Sequence, residues 1–172
     1  MLKKVRVKIE TDRYTLSASP LFSGAAELFS PPPEDPVAET DHAELLTEAR
    51  LRDDGTRVFL SYEEGVFSGM EKTTTTVSFA KAEPGLLSVI RTGGVRTSLL
   101  FEKGLRHTCI YQTPIMPFEV CVATRNVQND LAEHGTLFLD YLIEIRGAEA
   151  EHTRFRLSIL PDFKAPLSEK AL

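Results

Sequence analysis

The sequence holds no tryptophan, only two cysteines and no surplus of basic residues, and no apolar run approaches the roughly 20 residues that cross a bilayer as a helix. Each shortage removes a class of protein. Cys109 and Cys121 are too few for a disulfide framework, so a reduced, cytoplasmic setting is expected. With 20 Lys and Arg against 25 Asp and Glu, the net charge of −5 leaves no concentrated cationic face for phosphates, and a nucleic-acid partner is not expected. The start, Met1 to Lys8, is basic like a signal peptide, but Val5 and Val7 alternate with Lys4, Arg6 and Lys8 where an unbroken apolar region is required. No export signal and no membrane span are therefore expected. Gly93-Gly94 lacks the spacing and the following helix of a phosphate loop, and His42, His107, His134 and His152 lack metal-ligand spacing, so neither a cofactor nor a zinc ion is called for.

What is present in quantity is strand signal. Between Leu86 and Arg125 four runs rich in β-branched and aromatic residues, Leu86–Thr92, Val95–Lys103, Arg106–Thr113 and Phe118–Arg125, are separated by Gly93-Gly94, Lys103-Gly104-Leu105 and Pro114 to Pro117. This is the punctuation of an antiparallel meander. Upstream, Val5, Val7 and Ile9 give Leu2–Glu10 one buried face, and Leu45–Leu51 and Arg57–Glu63 flank Asp53-Asp54-Gly55, a strong hairpin turn. Thr73 and Thr75 share a face with Val77 and Phe79. Thr136–Arg146 lines up Leu137, Leu139, Tyr141, Ile143 and Ile145, and Arg154–Leu160 turns Phe155, Leu157 and Ile159 inward before Pro161 ends the pairing. Nine or ten antiparallel strands with almost no helix predict an all-β fold, a single closed up-and-down barrel, because a sheet of that size closes or splits to remove its edges. Residues 1–162 form this domain and 163–172 a tail. A proline-rich insertion, residues 13–38, interrupts the domain, since Pro31-Pro32-Pro33 cannot join a ladder. It reads as a surface insertion or as a lid that folds Leu21, Phe22, Leu28 and Phe29 over a barrel mouth.

Local registers follow from the turns. Pairing Thr92 with Val95 makes Gly93-Gly94 a two-residue hairpin and sets Arg91 opposite Arg96, a like-charge pair that calls for an acid or a bound anion between them. Pairing Thr113 with Phe118 places Tyr111 by Val120, Cys109 by Val122 and His107 by Thr124, and it sends the two cysteines to opposite faces, out of disulfide reach. Past Arg125 the apolar parity moves from even positions (Phe118, Val120, Val122) to odd ones (Val127, Leu131). That shift requires a bulge near Arg125-Asn126, the alternative being a helical turn over Asn126–His134.

The order of short motifs is also informative. Tyr62-Glu63, then Ser68-Gly69-Met70-Glu71-Lys72-Thr73-Thr74-Thr75, Ile90-Arg91-Thr92-Gly93-Gly94, Phe101-Glu102-Lys103-Gly104, Tyr111-Gln112-Thr113-Pro114 and Ala123-Thr124 together resemble the YwiB-like bacterial proteins. These are a calycin-type β-barrel family of unknown function. The resemblance spans the first strand and His42 to Leu160, and it implies a barrel and a cytoplasmic placement but no activity. The insertion has no counterpart in it, and Ile115-Met116-Pro117 stands where an aromatic-Gly turn is expected. The missing tryptophan removes the Gly-x-Trp signature of true lipocalins, so lipid or pigment carriage does not carry over.

Candidate chemistry is sparse. His107 and Cys109 share a strand face, but residues two apart along a strand are about 6.6 Å apart, beyond the ~3 Å contact that activates a thiol. The pairs Glu63-Glu64 and Glu149/Glu151 sit at turns and read as solvated charge. The best constellation is Glu71, Thr73, Arg91, Arg96, Tyr111 and Thr113, because polar groups inside a small barrel must pair with one another or with a ligand. Either they brace the barrel, Glu71 or Glu102 neutralising an arginine and the Tyr111 hydroxyl capping a carbonyl, or Arg91 and Tyr111 hold the polar head of a small, anionic ligand at a barrel mouth. Arg91 follows Leu87 and Val89 on one face and is expected to be buried and charge-paired. The leading functional expectation is a non-enzymatic barrel that binds a small molecule. The second is an interaction protein acting as a homodimer, since Leu99 and Leu100 point to opposite sides and Phe138 and Leu142 lie opposite the Leu137-to-Ile145 face. An enzyme ranks last, because no nucleophile, base and orienting group can be placed together.

Overall fold

The computed structural model describes residues 1–15, 39–64, 72–145 and 148–161. They form ten strands: β1 Leu2–Thr15, β2 Glu39–Asp53, β3 Arg57–Glu64, β4 Thr73–Ala80, β5 Glu83–Thr92, β6 Thr97–Glu102, β7 Arg106–Gln112, β8 Pro117–Asp130, β9 Thr136–Ile145 and β10 Ala148–Leu160. Among the described residues there is no helix long and apolar enough to cross a membrane. The ten strands make one sheet in the order β6-β5-β4-β3-β2-β1-β10-β9-β8-β7, antiparallel throughout. Because β1 pairs with both β2 and β10, the first and last strands meet in the middle of the sheet. What remains is a seam between β6 and β7, and there Arg96 and Gln112 exchange two backbone hydrogen bonds of 3.0 and 2.9 Å. The result is a nearly closed up-and-down barrel.

Strand alternation fills its bore. Val7, Leu60, Val77, Leu87, Phe101, Val122, Leu137, Leu139 and Leu157 are almost wholly buried and belong to one cluster. The hydrophobic gain of this interior, about 25 cal/mol per Å² of apolar surface removed from water, holds the sheet in its ring. As the alternation predicts, Thr73 and Thr75 are buried on the same face as Val77 and Phe79. The parity change past Arg125 is a bulge: the β8–β9 register shifts between Thr124 and Asn126, and β8 continues as a strand to Asp130, so no helical turn replaces it.

Several boundaries and registers differ from expectation. The first strand runs on to Thr15, so Arg13, Tyr14 and Thr15 pair on both sides rather than opening the insertion; the insertion's residues 16–38 and the 163–172 tail lie outside the described residues. Gly93-Gly94 does not close a two-residue hairpin. Arg91 pairs with Thr97, not Arg96, because four residues separate β5 from β6 and Gly93 takes a φ of 126° within them. The next turn keeps the expected four residues but lies one place earlier, at 113–116: the Thr113 hydroxyl donates to the Met116 carbonyl and accepts its N–H, which draws Thr113 out of the ladder. Tyr111 then pairs with Phe118, Cys109 with Val120 and His107 with Val122, two residues from the expected register but with every side chain on the expected face. Both cysteines are free.

The β2–β3 turn offers a pH test. One carboxylate oxygen of Asp54 accepts the backbone N–H groups of Arg57 and Thr56 and the Thr56 hydroxyl at 2.8–2.9 Å, and these donors, the backbone ones foremost, hold its carboxyl down to about 2 against an ordinary 3.8. A depressed folded-state value stabilises above the unfolded one. The contribution is therefore complete above pH 3.8 and is lost as pH falls toward 2. Asp54→Ala should flatten that part of the stability curve, read as urea midpoints measured down the acid limb.

Candidate functional site

The two ends of the barrel differ in chemistry. At the end where β3, β5, β7 and β9 finish, here the upper end, the alternation that puts Val58, Leu60 and Tyr62 inward carries on to Glu64, and the one that puts Leu87 and Val89 inward carries on to Arg91. A carboxylate and a guanidinium thus enter the bore from neighbouring parts of the sheet. Arg91 Nε lies 3.4 Å from Glu64 Oε1, and the two side chains are 25% and 20% exposed. Glu64 also accepts a 2.7 Å hydrogen bond from Thr75. Arg91 Nη1 donates to the Tyr111 hydroxyl at 3.2 Å, reaching from β5 over β6 to β7, and the Tyr111 ring stacks on Phe118 with centroids 5.3 Å apart.

A second pair completes the upper end. Arg13 Nε approaches Glu151 at 3.9 Å, and Thr153 donates to the same carboxylate at 2.8 Å. Between the pairs stand two phenols, Tyr62 and Tyr141. Burial foremost, and the charge of Glu64 next, push Tyr62 far above the ordinary phenol range; burial also raises Tyr141. Both stay protonated and can donate. Desolvation works against the charge on Arg91, but the negative charge of Glu64 outweighs it, so the guanidinium is held cationic. Its Nε is nevertheless buried with no hydrogen-bond partner among the described residues, because Glu64 lies within ion-pair range but out of line for a hydrogen bond.

Of the six residues singled out from sequence, Arg91 and Tyr111 are in direct contact, and Thr73 is buried at the same end. Arg96 is exposed on the rim and pairs through its backbone, and Thr113 serves its own turn. Glu71 lies outside the described residues. The counter-ion of Arg91 is Glu64, not Glu102, which instead sits 3.7 Å from His107, and the Tyr111 hydroxyl accepts from Arg91 rather than capping a carbonyl. Glu64, Thr75, Tyr62, Tyr141, Arg13 and Glu151 were missed.

Residues 34–157 match the family described as domain of unknown function DUF1934. The chain belongs to this family. The match takes in Glu64, Arg91, Tyr111, Tyr141 and Glu151 and leaves Arg13 outside. The crystal structure of the ywiB protein from Bacillus subtilis superposes with a TM-score of 0.61, covering 93% of this chain and 96% of that one at 16% identity. At that identity the likeness shows the DUF1934 barrel as a shared fold and nothing finer. No curated protein matches.

Two other features of this DUF1934 chain lie away from the upper end. A groove of about 470 Å³ opens at the lower end, lined by Lys3, Val5, Leu51, Leu131, His134 and Ile159 among others, but it lacks the converging polar groups that fix a ligand's orientation. On the outer surface Glu10, His42 and Glu44 bring one donor atom each within 4.8 Å. Lys8 already bridges both carboxylates and Asp12 holds the His42 ring at 2.5 Å, so all three donors are engaged by neighbouring side chains.

Proposed function

We propose that this protein binds a small anion, a carboxylate by preference, inside the upper end of the barrel. One observation carries the reading: a permanently charged, largely buried Arg91 whose Nε has no hydrogen-bond acceptor among the described residues. The Nε and Nη2 edge of a guanidinium is the fork that takes a carboxylate through two parallel hydrogen bonds, and Nη1 is already occupied by Tyr111. Around it the buried side chains include small hydroxylated ones, Thr73, Thr75, Thr97 and Thr153, where the rest of the bore is filled by leucine, valine and phenylalanine. The phenols of Tyr62 and Tyr141, kept protonated, supply neutral donors that suit an incoming oxygen. A calycin-like, non-enzymatic carrier or sensor of a small acid is the role this supports.

Glu64 competes with such a ligand for Arg91, and that makes the reading testable. Acetate, succinate and citrate, screened by thermal shift alongside native mass spectrometry of freshly purified protein, serve as probes. A probe at a hundred times its dissociation constant stabilises by about 2.7 kcal/mol, a rise of roughly 5–10 °C for a chain of this length. Wild type should respond, Glu64→Gln should respond more strongly because its guanidinium has lost the internal counter-ion, and Arg91→Gln should not respond. Equal responses from all three would sink the idea.

A further inference from the structure

Arg91 and Glu64 stand side by side at the upper end without exhausting each other's hydrogen-bonding capacity. Both partners of Glu64 meet one of its oxygens: Thr75 donates to Oε1 at 2.7 Å, and Arg91 Nε lies 3.4 Å from the same atom. Oε2 has no hydrogen-bond partner among the described residues. The guanidinium is the complement. Tyr111 takes Nη1, while Nε meets no acceptor among the described residues. Because Glu64 sits off the line of that N–H, the in-plane edge of Nε and Nη2 is open although a carboxylate stands beside it. An unused donor edge and an unused acceptor oxygen are thus neighbours. The pair is also neutral, and its side chains are only 25% and 20% exposed. A plain carboxylate added there leaves one negative charge in excess beside Glu64, where an uncompensated charge is costly.

We propose that the ligand is an α-amino acid in its zwitterionic form, with its carboxylate on the Nε and Nη2 edge of Arg91 and its ammonium on Glu64. The inference rests on the carboxylate site proposed above and names the class of ligand that site takes. In an α-amino acid a single carbon separates the two charged groups, a spacing that lets a cation and an anion 3.4 Å apart each meet one of them. The ligand's charges sum to zero, so the site stays neutral when it binds. Glu64 then has two roles. Against acetate it is a rival for the guanidinium; against an ammonium it is the acceptor of a charge-assisted hydrogen bond. Neither side chain has to be drawn in from solvent, since Tyr111 holds Arg91 and Thr75 holds Glu64, and such preorganisation lowers the cost of binding. A diacid is a poorer match, because the second ion pair of this end, Arg13 with Glu151, is neutral as well and offers no cation free of its own counter-ion.

Isothermal titration calorimetry on the full chain compares three probes that share a carboxylate: acetate; glycine, which adds the ammonium; and N-acetylglycine, which turns that ammonium into a neutral amide. Wild type should bind glycine about tenfold more tightly than acetate, the factor that one further charge-assisted hydrogen bond supplies, and N-acetylglycine no more tightly than acetate. Glu64→Gln, checked for an unchanged circular dichroism spectrum, should move the two small probes in opposite directions: acetate binds more tightly and glycine about tenfold more weakly. Arg91→Gln should bind none of the three. The wild-type comparison stands even where a variant misfolds. Acetate or N-acetylglycine binding wild type as tightly as glycine, or Glu64→Gln raising the affinity for glycine along with acetate, would overturn the amino-acid assignment and leave the carboxylate site standing. No binding of any probe to wild type would remove both.

Discussion

Arg91→Met is expected to cost about 3 kcal/mol of stability, the lower end of the range for breaking a buried ion pair, and to lower Tm by roughly 6–12 °C. The loss comes from what is left behind. Glu64, 20% exposed, would keep a charge in the bore with the Thr75 hydroxyl as its recorded partner, while Tyr111 would lose the donor that ties β7 to β5 across the weakly bonded seam. Arg91 retains a quarter of its side-chain exposure, which tempers the cost. Glu64→Gln in the same background removes the stranded charge, so the double variant should be more stable than the sum of the single losses predicts, by about 1–3 kcal/mol of coupling. Arg91→Lys should recover only part of the deficit, because an ammonium on a flexible stem does not hold a carboxylate and a phenol in the fixed geometry of a guanidinium. Urea melts of the four proteins of the cycle decide it. Simple additivity would mean that the 3.4 Å approach contributes nothing to stability.

The barrel was legible because period two is nearly unbroken in this chain. Leu137, Leu139 and Tyr141 fix the inward face of β9, and one phase change is enough to locate the bulge past Thr124. Arg91 was legible for the same reason, two places after Val89. Glu64 was not, although Val58, Leu60 and Tyr62 lead to it at the same spacing: beside Glu63 and ahead of Gly65 it looks like turn charge, and only the ladder pairing with Thr73 shows that the strand continues through it. Turn chemistry accounts for the misplaced registers: Gly93, at positive φ, stands in a loop of four residues where two were expected and moves β6 by one place against β5, whereas Thr113, by bonding its own turn, moves a four-residue loop one place earlier and leaves the strand faces unchanged. Cross-barrel partners are a different matter. Arg13 and Glu151 come from opposite ends of the chain and meet because β1 pairs with β10, a closure that no local pattern encodes.

Gly93→Ala should be among the most damaging single substitutions in the chain. Gly93 sits at φ +126°, and a Cβ there would lie 2.2 Å from the Lys72 carbonyl oxygen and 3.0 Å from the Thr73 Cα. Both neighbours are backbone, so nothing flexible can step aside. Holding an L residue in that conformation costs about 1–3 kcal/mol, and forcing a methyl group against packed backbone costs ~1–3 kcal/mol more. Relief requires the start of β4 to retreat from the β5–β6 turn, which carries Thr73 and Thr75 away from the bore and, through Thr75, pulls on Glu64 and its pairing with Arg91. Gly55→Ala separates the two costs: its φ is +94° but nothing lies within 4 Å of the added carbon, so it should show the conformational penalty alone. A fall in Tm on the order of 10 °C for Gly93→Ala, at least twice that of Gly55→Ala, together with a weakened response to carboxylate probes, is the expected result. Equal losses in the two variants would mean that the close approach of Gly93 to Lys72 and Thr73 does not position the polar end of the barrel.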